Sequence, residues 1–448
     1  MKKTVRHLAV DILNQVGRSS GFAEDLLNLE LERQTLSGTV NGRLLTHLVY
    51  GTLRMQGHLD WILTRLYRGN YEKMEDSVKN ILRTGLYQLR FSNRLPSFAV
   101  VDEAVKIAKS LAPATSGLIN AVLRGYLRNA DKILFPSPES HPAESIFTRH
   151  SHPRWLVELW LDAFGAQETE TICQVNNELP PLTLRVNTLK TDRETLLEML
   201  KNENFSCTPT QFSPDGITLH DPPHPVQKTT FFQQGLLRIQ DEAAQLVSLL
   251  VCPKQNSLIL DVCAGSGGKT THLAALMKNE GRIVALDGDA GKIARLKKDA
   301  ARMGISMIES GQANLLSPLP AKWIDKFDAV FVDAPCSGTG TLRRNPEIKW
   351  RLHSGDIEHF KNMQITILQN AAAAVKKEGR LVYCTCSVLP SENEYVIGKF
   401  LADFPQFRVE RPTDEILQSL TSRRGYFQTF PHRHSLDGFF GAVLSRRI

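Results

Sequence analysis

The strongest constraint on the fold is a regular alternation of apolar and amphipathic stretches that begins near residue 257. Strand-like runs cover residues 257–262, 282–286, 327–332 and 379–384, and helical runs cover residues 269–279, 289–303 and 356–377. Alternation of this kind predicts an α/β domain with a doubly wound sheet. Because ligands of such sheets bind at the carboxyl ends of the strands, the residues that follow each strand are candidates for a functional site.

The first third of the chain differs from the rest in pattern and in charge. Residues 1–135 show helical spacing of apolar side chains, as in Leu8, Ile12 and Val16, which predicts a domain of roughly five to seven helices. This part holds 19 Lys and Arg against 12 Asp and Glu, whereas residues 136–448 hold 35 of each. A basic module beside a neutral one favours a polyanion-binding attachment to a catalytic body, although a solvated basic surface without a partner fits the charge equally well.

Between these two parts the pattern changes twice. Residues 136–149 begin with three prolines within seven residues, which predicts a linker. Residues 150–235 mix helical stretches with a strand at 182–186 and predict a small α+β subdomain. The doubly wound domain then occupies residues 236–448.

Composition excludes several classes of protein. The seven cysteines are scattered and form no CxxC pair, so neither a disulfide framework nor a metal site is predicted, and a reducing cytoplasm fits best. No run of about 18 apolar residues occurs. We expect a monomeric cytoplasmic protein that binds no metal and no membrane.

A glycine-rich turn follows the first strand of the doubly wound domain. The turn consists of Cys263, Ala264, Gly265, Ser266, Gly267, Gly268 and Lys269. Asp287, at the end of the next strand, lies 19 residues after Gly268, a spacing that suits a carboxylate accepting from ribose hydroxyls. A P-loop would need glycine where this chain has Cys263. The turn therefore predicts a nucleoside site, which suits S-adenosylmethionine at least as well as NAD.

Two later strands end in segments that contain cysteine. The sequence DAPC at residues 333–336 follows one strand, and CTC at residues 384–386 ends another. Both segments should lie at the same sheet edge as the glycine turn. Free cysteines are often inert core residues, and that interpretation remains open at this point.

An acid and two thiols together suit the methylation of a pyrimidine. Carbon 5 of the ring is a poor nucleophile, but attack of a thiolate on carbon 6 makes it enamine-like. An acid that hydrogen-bonds or protonates N3 stabilises the charge that builds there. After methyl transfer the thiolate must be eliminated, and a second thiol can assist that step.

On these residues the chain resembles the RNA 5-methylcytosine methyltransferases. The segments that carry the resemblance are Gln240–Gln245, Asp261–Thr270, Asp333–Gly338, Tyr383–Ser387 and Asp437–Phe440. The resemblance implies a Rossmann-like class I methyltransferase domain that uses S-adenosylmethionine to modify a cytidine of small-subunit (16S) ribosomal RNA. It makes Cys386 the nucleophile, Cys336 the residue that assists breakdown of the adduct, and Asp333 the group at N3.

The resemblance also implies where the cofactor binds, and the sequence departs from the family there. The implied contacts lie along Cys263–Lys269 and at Asp287, Asn314 and Asp333. The family usually has Ala-Pro where this chain has Gly265-Ser266, and aspartate where it has Asn314, which we expect to affect loop flexibility and cofactor affinity. Cys384 stands where related sequences often have serine, and we expect it to have no role.

Residues 1–135 resemble the helical RNA-binding domain of the antitermination factor NusB. The segments that carry this likeness are Arg43, Leu48–Gly51, Pro96, Glu103–Val105 and Asn120–Arg124. Apolar members such as Val49 and Leu123 should belong to the core, whereas Arg43 and Arg124 either cap helices or contact phosphates. Two alternatives remain open: the same chemistry on transfer RNA, and a non-catalytic RNA-binding factor of ribosome assembly.

Overall fold

The computed structural model describes residues 3–18, 21–92 and 95–447. Residues 1, 2, 19, 20, 93 and 94 of the predicted helical domain, and residue 448 of the predicted α/β domain, lie outside the described residues. Contacts between residues divide the chain into two compact units, Met1–Leu179 with Leu342–Leu352 and Pro180–Thr341 with His353–Ile448.

The described residues form twenty α-helices and twelve strands. The helices are α1 Val5–Arg18, α2 Ala23–Arg33, α3 Val40–Arg54, α4 Gln56–Leu66, α5 Asp76–Phe91, α6 Ser97–Leu111, α7 Ser116–Asn129, α8 Pro142–His150, α9 Arg154–Phe164, α10 Ala166–Val175, α11 Arg193–Asn202, α12 Thr230–Gln233, α13 Glu242–Leu250, α14 Gly268–Leu276, α15 Ala290–Met303, α16 Ile348–Arg351, α17 Ser354–Ala372, α18 Glu394–Asp403, α19 Glu415–Ser419 and α20 Pro431–His434. The strands are β1 Leu182–Val186, β2 Ser206–Pro209, β3 Gly216–His220, β4 Leu237–Ile239, β5 Leu258–Asp261, β6 Arg282–Asp287, β7 Ile308–Gln312, β8 Phe327–Asp333, β9 Val375–Thr385, β10 Phe407–Glu410, β11 Phe427–Thr429 and β12 Phe439–Arg446.

The first unit is helical and has its own core. Helices α1 to α7 supply that core, and the apolar stripe of Leu8, Ile12 and Val16 is buried within it. Val49 and Leu123 are also fully buried, so their expected core position is confirmed. The prediction of roughly five to seven helices in the first third of the sequence agrees with the seven helices, α1 to α7, of its described residues.

The predicted linker at residues 136–149 is wrong in its second half. Residues 136–141 form neither helix nor strand, but α8 begins at Pro142 and continues to His150. Proline is well tolerated at the first helical position, where its missing N–H would have no intrahelical partner. The third proline of the run therefore starts a helix, and α8 to α10 all belong to the helical unit.

A short segment from late in the sequence, residues 342–352, also belongs to the helical unit. The Lys349 ammonium donates to the carbonyl oxygen of Arg54 at 2.9 Å, and the Trp350 indole donates to that of Leu53 at 2.6 Å. These carbonyls end α3, where backbone oxygens have no intrahelical donor. The assignment of residues 342–352 to the domain at 236–448 is therefore a correction, because their polar side chains find their partners in the helical unit.

The second unit begins with a small antiparallel sheet in the order β2-β3-β1-β4. The strand predicted at 182–186 is β1. The predicted subdomain at 150–235 has different limits in the structure, because its first helices, α9 and α10, belong to the helical unit and its sheet extends to β4 at residue 239.

The large sheet of the second unit has the order β10-β12-β9-β8-β5-β6-β7, with β11 paired to β12. Strands β7, β6, β5, β8 and β9 run parallel, whereas β12 is antiparallel to its neighbours. Apolar residues bury both faces, as alternate members of β5 show: Leu260 enters one core cluster and Ile259 the other. The predicted doubly wound α/β class is confirmed.

Two details of the predicted sheet are wrong. The helix expected at 356–377 ends with α17 at Ala372, and β9 begins at Val375, which pairs with Phe327 across an irregularity in register. The lysines that follow look helical in sequence, but pairing with β8 overrides that local preference. Strands β7 and β10 to β12 were not predicted. In the described residues no helix is long and apolar enough to cross a membrane.

Candidate active site

The two cysteines singled out in the sequence meet at the carboxyl edge of adjacent parallel strands. The register pairs Asp333 at the end of β8 with Cys384 near the end of β9. Cys336 follows β8 by three residues, Cys386 follows β9 directly, and their sulfur atoms lie 3.3 Å apart. Both thiols are partly exposed. The sequence therefore predicts correctly that both cysteines lie at one edge of the sheet.

Backbone contacts hold the two loops together; we call residues 333–340 and 384–387 the cysteine edge. The N–H of Ala334 donates to the carbonyl of Cys384, and the N–H of Gly340 donates to that of Cys386, each at 2.9 Å. Gly340 also accepts from the N–H of Gly438 at 2.8 Å. A side chain at Gly340 would overlap the carbonyl oxygen of Gly438, so only glycine permits this approach.

The thiols are not equivalent. The hydrogen bond with Cys386 and burial of the group both raise the pKa of the Cys336 thiol well above its ordinary value. Cys336 therefore keeps its proton at neutral pH and can donate a hydrogen bond to the sulfur of Cys386. Cys336 is therefore suited to act as a hydrogen-bond donor and not as the nucleophile, which must be a thiolate.

Asp333 lies beside the thiols and contacts two neighbours. One carboxylate oxygen accepts from the Lys269 ammonium at 2.5 Å, and the other accepts from the Cys384 thiol at 3.3 Å. Burial alone would lower the pKa of Lys269, but the Asp333 carboxylate raises it above its ordinary value. The Lys269 nitrogen also lies 5.2 Å from the centroid of the Phe439 ring. Sequence reasoning treated Cys384 as a residue without a role, whereas it contacts Asp333.

The glycine turn, Cys263–Lys269, joins β5 to α14. Gly265 and Gly267 have φ values of +55° and +82°, which favour glycine. A Cβ at Gly267 would come within 2.7 Å of Leu296, whereas a Cβ at Gly265 would meet no atom within 4 Å. The turn therefore packs closely on one side and leaves open space in front of Gly265.

Two predicted cofactor contacts lie next to this turn. The Asp287 carboxylate accepts from the N–H of Gly265 at 2.9 Å, so the end of β6 is tied directly to the turn. Asn314 lies after β7, is exposed, and accepts from the N–H of Leu316 at 3.1 Å. The N–H of Ala313 in turn donates to the carbonyl of Asp287 at 3.0 Å. These contacts place the turn, Asp287 and Asn314 side by side at one edge.

Cys263 differs from the other residues of the turn, because its side chain is buried in the core of the large sheet. Burial raises the pKa of its thiol, so it stays protonated. Any contact with a ligand would come from its backbone.

Asp261 is a buried acid that sequence reasoning did not single out. It ends β5, accepts from the Thr270 hydroxyl at 2.7 Å, and so connects the strand to α14. Burial raises the pKa of Asp261 to about 7. An acidic residue at the last position of a strand before a glycine turn is the signal that could have revealed it.

Comparison with known proteins gives three matches to family models. Residues 248–445 match the model of 16S rRNA methyltransferase RsmB/F, residues 3–128 match the NusB family, and residues 152–227 match a ferredoxin-like domain of the RsmF/B-like methyltransferases. The chain is 34% identical over 98% of both chains to a probable ribosomal RNA small subunit methyltransferase B of Bacillus subtilis. The chain belongs to the RsmB/F methyltransferase family. Across its full length it is also 32% identical to ribosomal RNA small subunit methyltransferase B of Escherichia coli, which it covers to 99%.

The solved structures agree with this family assignment. The crystal structure of PH0851 superposes with a TM-score of 0.85 at 26% identity and covers all of both chains. The predicted NusB-like helical domain and class I methyltransferase layout are thereby confirmed.

Proposed function

We propose that this protein transfers a methyl group from S-adenosylmethionine to carbon 5 of a cytidine in 16S ribosomal RNA through a covalent adduct between Cys386 and carbon 6. The observation that carries the proposal is the meeting of two thiols and one acid at a single sheet edge. Membership of the methyltransferase family supports the reaction class. The names of the full-length relatives support the RNA substrate.

The residues present fit S-adenosylmethionine. Open space in front of Gly265 allows a ligand to approach the backbone, and Asp287 stands beside it as a carboxylate acceptor for ribose hydroxyls. The exposed amide of Asn314 can still donate to a ring nitrogen of adenine while its oxygen caps Leu316. When bound, S-adenosylmethionine supplies the methyl group.

Cys386 performs the covalent step. Once its proton has passed to solvent, Cys386 adds as a thiolate to carbon 6 of the base, and the Cys336 thiol can donate a hydrogen bond to the same sulfur. In this proposal Asp333 takes up a proton from solvent as the base binds and shares it with N3 as negative charge builds on the ring. The Lys269 ammonium stabilises the carboxylate that remains when the proton moves to N3.

Cys336 acts when the adduct breaks down. Once carbon 5 carries the methyl group, a water molecule accepts its proton. The electrons of that bond form the double bond between carbons 5 and 6, and the bond between carbon 6 and Cys386 breaks. The departing sulfur leaves as a thiolate, and the Cys336 thiol, which keeps its proton, donates a hydrogen bond to it. Cys386 therefore forms its bond to carbon 6 in the attack and loses it in the release, and Cys336 is the hydrogen-bond donor to the Cys386 sulfur in both steps.

The helical unit supplies RNA affinity in this proposal. It matches the NusB family, and the first 135 residues carry the positive surplus of the chain. Arg43 and Arg124 are both exposed and are candidates for phosphate contacts, although Arg124 also donates to Asn120 at 2.9 Å. A base stacked in a helix hides the face that Cys386 must attack, so the target cytidine must be unstacked.

Transfer of labelled methyl groups tests the proposal directly. Unmethylated 16S RNA should accept label from S-adenosylmethionine, whereas transfer RNA tested in parallel should not. Cys386→Ala should abolish both methylation and the covalent adduct seen on a denaturing gel, and Cys336→Ala should accumulate the adduct. Label on transfer RNA alone would show that transfer RNA, and not 16S RNA, is the substrate. Absence of label with folded protein would favour a non-catalytic factor of ribosome assembly.

A further inference from the structure

Glu392 is a buried carboxylate beneath the two cysteine loops. It lies between β9 and α18 and its side chain is completely shielded from solvent. One oxygen accepts from the N–H of Ser337 at 2.9 Å and from the Gln364 amide at 3.0 Å. The other accepts from the hydroxyls of Ser337 and Ser387, both at 2.5 Å. A single carboxylate therefore receives four hydrogen bonds.

The two serines directly follow the two cysteines of the site. Ser337 is the residue after Cys336, and Ser387 is the residue after Cys386. Their hydroxyls also contact each other at 3.3 Å. Glu392 therefore bridges the two loops one residue away from each reacting sulfur.

The neighbouring residue strengthens the same connection. The Asn393 side chain accepts from the Thr385 hydroxyl at 2.6 Å and donates to the carbonyl of Ser387 at 2.9 Å. These two contacts fix the residues on both sides of Cys386. Gln364 adds a link to the other loop, because its amide also donates to the carbonyl of Pro335 at 2.9 Å.

The chemistry of these bonds explains why a carboxylate stands at this position. The donors are two hydroxyls, one side-chain amide and one backbone N–H, all of them neutral. A carboxylate only accepts hydrogen bonds, so it satisfies all four donors at once, whereas an amide would place its own N–H groups against some of them. Burial of an acid without these bonds would be strongly unfavourable, which ties the position of Glu392 to that of both loops.

We infer that Glu392 is a positioning residue that sets the separation of the Cys336 and Cys386 sulfur atoms, and so the efficiency with which Cys336 assists release. This inference rests on the proposed function for its catalytic consequence. Its structural consequence, the proximity of the two thiols, can be measured without RNA.

The decisive experiment compares Glu392→Gln with Glu242→Gln in the full-length protein. Glu242 is a matched control because it is also buried and accepts from the backbone N–H groups of Phe212 and Ser213, which lie outside the cysteine edge. Each protein is equilibrated with mixtures of reduced and oxidised glutathione, and the Cys336–Cys386 disulfide is quantified by peptide mapping. In this test oxidised glutathione takes two electrons from the thiol pair and becomes two reduced molecules.

The glutathione equilibrium gives the effective concentration of one thiol of the pair relative to the other. Glu392→Gln should lower this effective concentration at least tenfold, whereas Glu242→Gln should change it less than twofold. In methyl transfer, Glu392→Gln should reduce kcat by a similar factor and leave KM for the RNA within threefold. An unchanged glutathione equilibrium, or an equal shift in both variants, would overturn the inference. Failure of wild-type protein to methylate RNA would instead remove the proposed function and leave the thiol measurement intact.

If Glu392→Gln does not fold, Ser387→Ala and Ser337→Ala provide a milder test. Each variant removes hydroxyl contacts to Glu392 and leaves the carboxylate with its other donors. We expect each to lower the effective concentration of the thiol pair about threefold, with retained cooperative melting. No shift in either serine variant would contradict the inference.

Discussion

The cysteine edge and the glycine turn follow neighbouring strands of one sheet, yet side chains shape the first and backbone conformation shapes the second. At the cysteine edge, side chains are the proposed reacting groups, and a buried network of hydroxyl, amide and carboxylate groups holds their loops together. At the glycine turn, the backbone itself faces the ligand space, and positive φ angles and the absence of side chains shape it. The first site depends on the identity of a few atoms, and the second depends on the shape of a loop.

The largest expected effect comes from removing the acid of the cysteine edge. Asp333→Asn breaks the ion pair with Lys269 and, on the proposed mechanism, removes the acid that acts at N3, so methyl transfer should fall about 10²- to 10³-fold. Asp328→Asn is the matched control, because Asp328 lies in the same strand and also contacts a lysine, Lys376. Initial rates of label transfer measure both variants, and equal losses would show that the ion pair at Asp333 has no special role.

The next effect concerns stability and pH at the strand that enters the glycine turn. The pKa of Asp261 is about 7 in the folded protein against an ordinary value of 3.8, so the folded state favours the protonated acid. Its contribution to stability is complete below pH 4 and is lost as pH rises to about 7, by at most roughly 4 kcal/mol. Asp261→Asn should remove this loss. Chemical unfolding at pH 5 and pH 8 should therefore show a smaller difference in the free energy of unfolding between the two pH values than in the unsubstituted protein.

A third comparison separates the two glycines of the turn. Gly267→Ala combines an unfavourable φ with a clash against Leu296, whereas Gly265→Ala has the φ alone and open space around it. We expect KM for S-adenosylmethionine to rise about tenfold in the first variant and a few-fold in the second, in line with backbone strain of about 1–2 kcal/mol. Equal values would mean that packing against Leu296 does not shape the turn.

The smallest effect tests the overlooked cysteine. Cys384→Ala removes the hydrogen bond to Asp333 and should slow methyl transfer about threefold, whereas Cys384→Ser keeps a donor and should restore most of the rate. Single-turnover rates measure the difference. A serine variant as slow as the alanine variant would show that size, and not hydrogen bonding, matters at this position.

The sequence predicted the parts of the site that local pattern determines. Strands, the glycine turn and the cysteines after β8 and β9 all follow from apolar runs and the residues that end them. Glu392 was not predicted, because its role depends on Ser337, 55 residues away, and nothing local distinguishes a buried carboxylate from an exposed one. The contact of Cys384 with Asp333 was not predicted for the same reason, because Asp333 lies on the adjacent strand.

Some of the predicted domain limits differ from those of the structure. Pro142 looked like part of a linker and instead starts α8, since proline disrupts a helix interior but not its first turn. Residues 342–352 could not be assigned from sequence, because their partners at the end of α3 lie almost 300 residues earlier. Long-range pairing of polar groups leaves no periodic signal.

The segment at residues 342–352 has a consequence for the order of events during synthesis. The helical unit is made first, yet the carbonyls at the end of α3 lack the donors of Lys349 and Trp350 until that segment has left the ribosome. By then more than three quarters of the chain has been translated. The N-terminal unit can therefore begin to fold early but can be completed only after residues 180–341 of the second unit have been made, so a nascent chain cut short before residue 342 carries an unfinished helical unit.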